Sequence, residues 1–183
     1  GLMQEFSITS TPVLGAFWVE NTYPSTDTVA YSHGPIDIQD PSKGLMNKIW
    51  RARLIGPDIS LVADGYPERV IFTKRCISTI DLTFDQNGRY LLLYTVANDM
   101  WLYWFDPVAQ GYVDVIIDTD VSSARISLDD KRTSQVAESQ IVLGYVKDNG
   151  LYYRTQLDRY TVPYLLQEGV AGKLIKIGLS NRY

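Results

Sequence analysis

DLTFDQNGRYLLLYTVANDMWLYWFDPVAQGYV, residues Asp81 to Val113, contains most of a four-stranded antiparallel unit. Asp81-Leu82-Thr83-Phe84 reads as a short strand. Asp85-Gln86-Asn87-Gly88 reads as a turn, because aspartate bonds the backbone two residues on and Asn-Gly accepts positive φ. Tyr90 to Val96 is an apolar, aromatic and β-branched run that suits a pleated, buried surface better than a helix. Ala97-Asn98-Asp99 reverses the chain, Met100 to Phe105 makes a third strand, Asp106-Pro107 breaks it, and Gly111 to Ile117 makes a fourth. Neighbours on a strand point to opposite faces, so Trp101, Tyr103 and Phe105 share one face of the third strand while Met100, Leu102 and Trp104 share the other. Both faces are apolar, the pattern of a strand buried on two sides.

The same order recurs on either side. Downstream, Ser127-Leu128-Asp129 aligns with Thr83-Phe84-Asp85, an offset of 44 residues between positions 85 and 129. Ile141 to Val146 then matches Leu91 to Val96, Asp148-Asn149-Gly150 takes the place of Asn98-Asp99, and Leu151-Tyr152-Tyr153 that of Trp101-Leu102-Tyr103. Asp158-Arg159-Tyr160 leading into Thr161 to Leu166 parallels Ala109 to Tyr112 leading into Val113 to Ile117. Upstream, Asp40-Pro41-Ser42-Lys43-Gly44 resembles the Asp85 turn at an offset of 45 residues between positions 40 and 85. There Lys48 to Leu54, Ile59 to Val62 and Arg69 to Phe72 follow as strands, with Gly56-Pro57-Asp58 as a turn.

A period of roughly 40 to 50 residues with four strands per repeat is the signature of propeller blades. The expected fold is therefore all-β, a propeller-like array of about three four-stranded antiparallel blades plus terminal strands; an ordinary β-sandwich is the alternative. The blades fall at 34–72, 77–117 and 122–166, within a β-repeat domain of 31–183 preceded by an N-terminal arm and strand in 1–30. Val13 to Glu20 and a terminal strand in 172–179, centred on Lys173 to Leu179, could together complete a blade, as chain ends often do in propellers. Ser134 to Ser139 is the one stretch that reads as helical, an insertion of a single turn.

Of 183 residues, 45% are hydrophobic and 21% charged, which is the composition of a folded body with a core and not of a disordered tail. A net charge of −4 argues against an electrostatic grip on nucleic acid and leaves proteins as the expected partners. No apolar run reaches the roughly 18 residues of a membrane span, and Gly1 to Ser10 lacks a basic segment followed by an apolar one, so neither membrane insertion nor export is expected.

Chemistry is sparse. Cys76 is the single cysteine, which excludes an internal disulfide, and its place at the start of an expected strand predicts a buried core role. His33 is the single histidine. Ser32 or Ser25 with Asp37 would complete a nominal triad, but adjacency in sequence is not triad geometry and no Gly-x-Ser-x-Gly elbow occurs; a surface-loop histidine is expected. Asp118-Thr119-Asp120, Asp129-Asp130, and Asp81 with Asp85 all sit at strand ends, where aspartate punctuates turns. Asp129 to Arg132 reads as a solvated turn. Asp85-x-Asn87-Gly88 lacks the alternating oxygen donors and closing glutamate of a calcium loop. Trp50, Trp101, Tyr103, Trp104, Tyr152 and Tyr153 are core residues in this reading and not sugar-stacking platforms. No catalytic, cofactor-binding or metal-binding residue is assigned.

Two resemblances follow. Thr83-x-Asp85-x-x-Gly88-x-Tyr90 is similar to the hairpin box of sialidase propellers, which is structural; an enzyme of that kind would need an arginine cluster that Arg51, Arg53, Arg69, Arg75 and Arg89 do not convincingly supply. Leu82 to Arg89, Leu102 to Pro107, Ile126 to Arg132 and Gly150 to Tyr160 resemble segments of virion proteins from tailed bacteriophages, in the tail and host-contact region. The resemblance covers roughly residues 76 to 182. It implies a non-enzymatic structural component of the tail, with an adaptor, nozzle or fibre-attachment role and present in several copies. Such a protein is synthesised in the host cytoplasm, and it contacts copies of itself, other tail proteins and in some cases a host receptor. A receptor- or glycan-binding module of the tail is the second expectation, and a sialidase-like hydrolase the third.

Overall fold

Tight two-residue turns set the registers of the sheets. Ala97 and Asn98 have φ of 48° and 67°, Asp148 and Asn149 of 48° and 57°, and each pair joins the second and third strands of its sheet through the left-handed turn that suits the twist of a hairpin. In the upstream repeat Gly56, with φ 59°, and Pro57 do the same work between Ile55 and Asp58.

The computed structural model describes residues 3–8, 15–20, 27–44, 48–129 and 140–179. Within them the chain forms β1 (Met3–Ile8), β2 (Gly15–Glu20), β3 (Val29–Gly34), β4 (Lys48–Ile55), β5 (Asp58–Ala63), β6 (Tyr66–Thr73), β7 (Ile77–Phe84) and β8 (Tyr90–Val96). It continues with β9 (Asp99–Asp106), β10 (Gly111–Asp118), β11 (Val121–Asp129), β12 (Gln140–Lys147), β13 (Gly150–Arg154), β14 (Tyr164–Glu168) and β15 (Lys173–Leu179). A 3-10 turn at Pro41–Lys43 is the helical element among the described residues, so no helix there is long and apolar enough to cross a membrane.

Three sheets are four-stranded antiparallel meanders in sequence order, β3–β6, β7–β10 and β11–β14, and the fourth has the order β1-β2-β15. The all-β, propeller-like class read from the repeats is the one that forms. Each repeat makes its own sheet, as blades do, where a sandwich would pool its strands into two. The number of sheets is four and not about three, because the terminal strands build one of their own: Phe17 pairs with Phe6 on one side and Ile177 on the other.

Asp40 and Asp85 stand where the repeats put them, between the first and second strands of their meanders, whereas Asp129 is the last residue of the first strand of the third, β11, paired with Gln140. The Asp85 carboxylate accepts the N–H groups of Asn87 and Arg89, and that of Asp40 accepts the Ser42 hydroxyl. The turn after Asp129, with Asp130 to Arg132 and the helical expectation at Ser134 to Ser139, lies outside the described residues, as do Val13 and Leu14. The first strand of the upstream meander, β3, begins at Val29, ahead of the expected blade start at 34. Met3–Ile8 and Gly15–Glu20, set apart in the sequence as an arm and a strand, lie together in one sheet.

Superposing the turns, Asn149 on Asn98, places Tyr145 on Tyr94, Leu151 on Met100 and Tyr153 on Leu102, one residue away from the matching read in the sequence. Burial decides in favour of the turns. Met100 and Leu151 are both fully buried, as are Tyr94 and Tyr145, whereas Trp101, matched to Leu151 in the sequence, is half-buried. A slip of one residue exchanges the two faces of a strand, and an apolar run conceals it.

The chain divides into two compact units. One, Thr26–Ala97 with Trp101–Val115, packs the β3–β6 sheet on the β7–β10 sheet: Trp50, Ile59 and Leu61 meet Phe84, Leu92 and Tyr94 in one core. Leu91, Leu92, Leu93 and Tyr94 are all essentially inaccessible, so β8 is buried on both faces as its composition predicts. The other unit, Gly1–Ser25 with Asn98–Met100 and Ile116–Tyr183, packs the terminal sheet on β11–β14. Its core gathers Phe17, Val19, Val142, Leu151, Tyr153 and Leu174.

Gly144 on β12 is the position where that core has room for no side chain. A Cβ there would lie 2.7 Å from the Phe17 ring and 3.0 Å from the Ile177 side chain. Gly144→Ala is therefore expected to destabilise the protein by about 1–3 kcal/mol through overpacking, read as a lower urea midpoint at unchanged slope.

Candidate interaction surface

Each sequence candidate now has a place. His33 is exposed on β3, opposite Ile49, so it is a surface residue but on a strand and not in a loop. The Ser32 hydroxyl donates to the His33 carbonyl, and Asp37 accepts from the Gln39 N–H and Lys43. These hydrogen bonds with the Gln39 N–H and the Tyr66 hydroxyl hold the Asp37 carboxyl below its ordinary range. Both neighbours are thus spent on local bonds, and Ser25 is outside the described residues.

Cys76 overturns its expectation. It is exposed, with φ 64°, in the turn that joins β6 to β7. The strand starts one residue later, at the buried Ile77. A cysteine at a strand's threshold faces the core or the solvent according to that single step.

The arginines are dispersed. Arg53 forms a two-pronged pair with Glu68, Arg51 lies 4.0 Å from the same carboxylate, and the Arg89 guanidinium covers the Phe105 ring at 3.6 Å. Trp50 and Tyr153 are buried, and Trp101, Tyr103, Trp104 and Tyr152 are half-buried. In the unit of β3–β10 the rings form a continuous stack: Phe72 on Tyr103 at 4.4 Å, Tyr103 beside Tyr112 at 5.1 Å, and Tyr112 on Tyr90 at 4.5 Å. Burial pushes the Tyr90 hydroxyl up to about 12. These rings are occupied with one another.

Two polar networks escaped the sequence reading. In the first, the buried Tyr94 donates its hydroxyl to Asp114, whose other oxygen receives the Lys74 ammonium at 3.0 Å. Lys74 also sits 3.5 Å above the Trp101 ring. In the second, Tyr145 donates to Asp118 at 2.8 Å, Lys147 reaches the same carboxylate at 2.5 Å, and the Arg154 Nε donates to the Tyr145 hydroxyl. Arg154 is 5% exposed and also donates to the Asp158 and Thr161 carbonyls, pinning the chain between β13 and β14. Tyr94 and Tyr145 are the equivalent pair exposed by the corrected register, each three residues before its turn, which is the signal that could have found them. Burial first, and then the adjacent carboxylate, push both phenols far up. Burial would raise Asp118 too, but the Lys147 ammonium, the Tyr145 hydroxyl and the Thr119 N–H outweigh it and hold the acid below its ordinary range. With every donor answered by an acceptor, both networks act as struts between strands.

The clefts beside Trp50 and Tyr66 and beside Arg154 and Thr161 hold about 150 and 160 Å³, below the ~300 Å³ at which ligand pockets begin. Among the described residues no group of three or more His, Cys, Asp or Glu side chains is placed to hold a metal ion.

The uncovered feature is a sheet face. Cross-strand pairs put Val29, Tyr31, Ile49, Ile55 and Val70 on the side of the β3–β6 sheet opposite its core, and they are 43 to 64% exposed. Glu68 stands on the same face, joined to Arg53, Arg51 and the Ser60 hydroxyl. Apolar side chains exposed together on one sheet face are a feature of protein-binding surfaces, and at the centre of this face the Arg51 Nε is buried without a hydrogen-bond partner among the described residues. Compared with protein-family models, curated proteins and solved structures, the chain matches none.

Two outcomes are expected. Native protein should react with a maleimide at Cys76 to completion, without denaturant, as mass spectrometry would show. The depressed Asp118 acid contributes stability that is complete above its unfolded value, about 3.9, and is lost as pH falls through the lower folded value. Asp118→Asn should therefore cost about 1–3 kcal/mol at pH 7 and make unfolding less steeply pH-dependent below about pH 4.

Proposed function

We propose that the chain is a non-enzymatic structural subunit of a bacteriophage tail, present in several copies and in contact with other tail proteins. The resemblance of Leu82 to Arg89, Leu102 to Pro107, Ile126 to Arg132 and Gly150 to Tyr160 to tail and host-contact proteins directs the reading to the virion. The observation that carries the assembly role is the uncovered face of the β3–β6 sheet, where Tyr31, Ile49 and Val70 are each more than half exposed. A neighbouring subunit that covers them gains from their transfer out of water at no cost to this chain's own core. The internal use of the aromatic rings favours a scaffold over a glycan-binding module.

Ile49→Lys with Val70→Lys tests the reading. Both side chains are exposed, so thermal unfolding of the isolated protein should change by less than about 0.5 kcal/mol. Incorporation into particles grown with the altered gene should fall sharply, as should any higher-order species of the pure protein in native mass spectrometry. Unaltered incorporation, or a wild-type protein that never enters a particle, would overturn the proposal.

A further inference from the structure

We propose that the edge of β1 that no described strand pairs with accepts a fourth strand donated by another polypeptide, an extended segment with apolar residues at alternate positions and a lysine or arginine opposite Glu5. This deepens the assembly role proposed above by naming one contact, and it is testable without a virion.

Among the described residues three of the four sheets have four strands and the terminal sheet has three, with β1 at its edge. An edge strand presents a row of backbone N–H and C=O groups that a further strand can pair with. The inner side of β1 is already part of a core: Ile8 is 3% exposed and Phe6 packs on the same cluster. That core stops short beyond β1. On the facing sheet β14 is the fourth strand and touches β1. Its Tyr164 pairs with Tyr153, so it shares the core-facing side, and the two rings stack at 4.8 Å. Yet Tyr164 is 46% exposed. In the other unit the corresponding fourth strand, β6, has its core-facing Phe72 partly buried and stacked on Tyr103. A strand added beside β1 would lay its inward apolar residues over Tyr164 as the missing fourth strand.

The outer row supplies the charge requirement. Glu5 pairs with Trp18, Trp18 pairs with Lys176, and the Lys176 ammonium lies 5.2 Å from the Trp18 ring centre. The next position in that row faces Glu5 alone, where a cation is favoured and a second acid is repelled.

The probe is a capped, fluorescent peptide as long as β1, six residues, alternating isoleucine and lysine, against a control with methylated backbone nitrogens that cannot pair. The full chain should bind the first saturably and the control not at all, and amide hydrogen exchange should slow in residues 3–8. Glu5→Lys, at an exposed position that leaves the unfolding midpoint unchanged, should weaken binding roughly tenfold. Absence of binding, binding without protection of β1, or indifference to Glu5→Lys would overturn the proposal. A wild-type protein already dimeric in native mass spectrometry, with β1 protected before peptide is added, would overturn it in favour of self-pairing. A subunit that fails to enter virions yet captures the peptide would sink the tail reading and leave this one intact.

Discussion

A strand buried on both faces can occupy its sheet in only one register, and the β7–β10 sheet rests on that constraint. In β8, Leu91 and Leu93 fill one side while Leu92 and Tyr94 fill the other, none of them more than 2% exposed. Moving such a strand by one residue would exchange two differently shaped sets of side chains at once. Apolarity does not choose between the two placements, because both sets are apolar. The choice is made at the ends, by paired residues with φ near +50 to +70° that the backbone can accommodate at one place only.

With the register set, the positions three residues before the turns become equivalent, and the same solution stands at two of them. A tyrosine fully inside the sheet needs an acceptor for its hydroxyl, since an unpaired buried O–H is costly. Asp114 and Asp118 serve, and each needs a cation in turn, supplied by Lys74 in one case and by Lys147 with Arg154 in the other. At the corresponding place in the upstream sheet Arg53 and Glu68 form the pair directly. The chemistry differs while the geometry of a second-strand donor answered by a carboxylate persists. Such groups look like site residues in a sequence, but their bonds are spent inside the fold.

The ends of the chain obey the same economy. β2 is flanked by β1 and β15, so the strand with the buried Phe17 has no open edge. Openness is displaced to β1 and to the outer face of β3–β6. An exposed edge and an exposed apolar face are liabilities for a protein that remains alone and assets for one that is assembled.

Most strand positions, the turns, the repeat near 44 residues and the pairing of the two terminal strands were legible in the sequence by itself, because strand propensity, two-residue periodicity and turn chemistry are local properties of a few neighbouring residues; the strands Met3–Ile8 and Val29–Gly34, polar and outside the repeats as read, were not. Asp85 and Asn149 announce their turns whatever surrounds them, and the near-continuous apolar run of β8 announces two-sided burial. Only the tertiary structure decided the one-residue register between repeats, the exposure of Cys76, the partners of Tyr94 and Tyr145, and the uncovered face carrying Tyr31 and Ile49. The exposure of Cys76 turned on the one residue by which β7 begins after it, and the others depend on what comes to lie opposite a residue across tens of positions of chain. Lys74 with Asp114, and Asp118 with Arg154, are brought together by the stacking of strands and not by any spacing visible along the sequence.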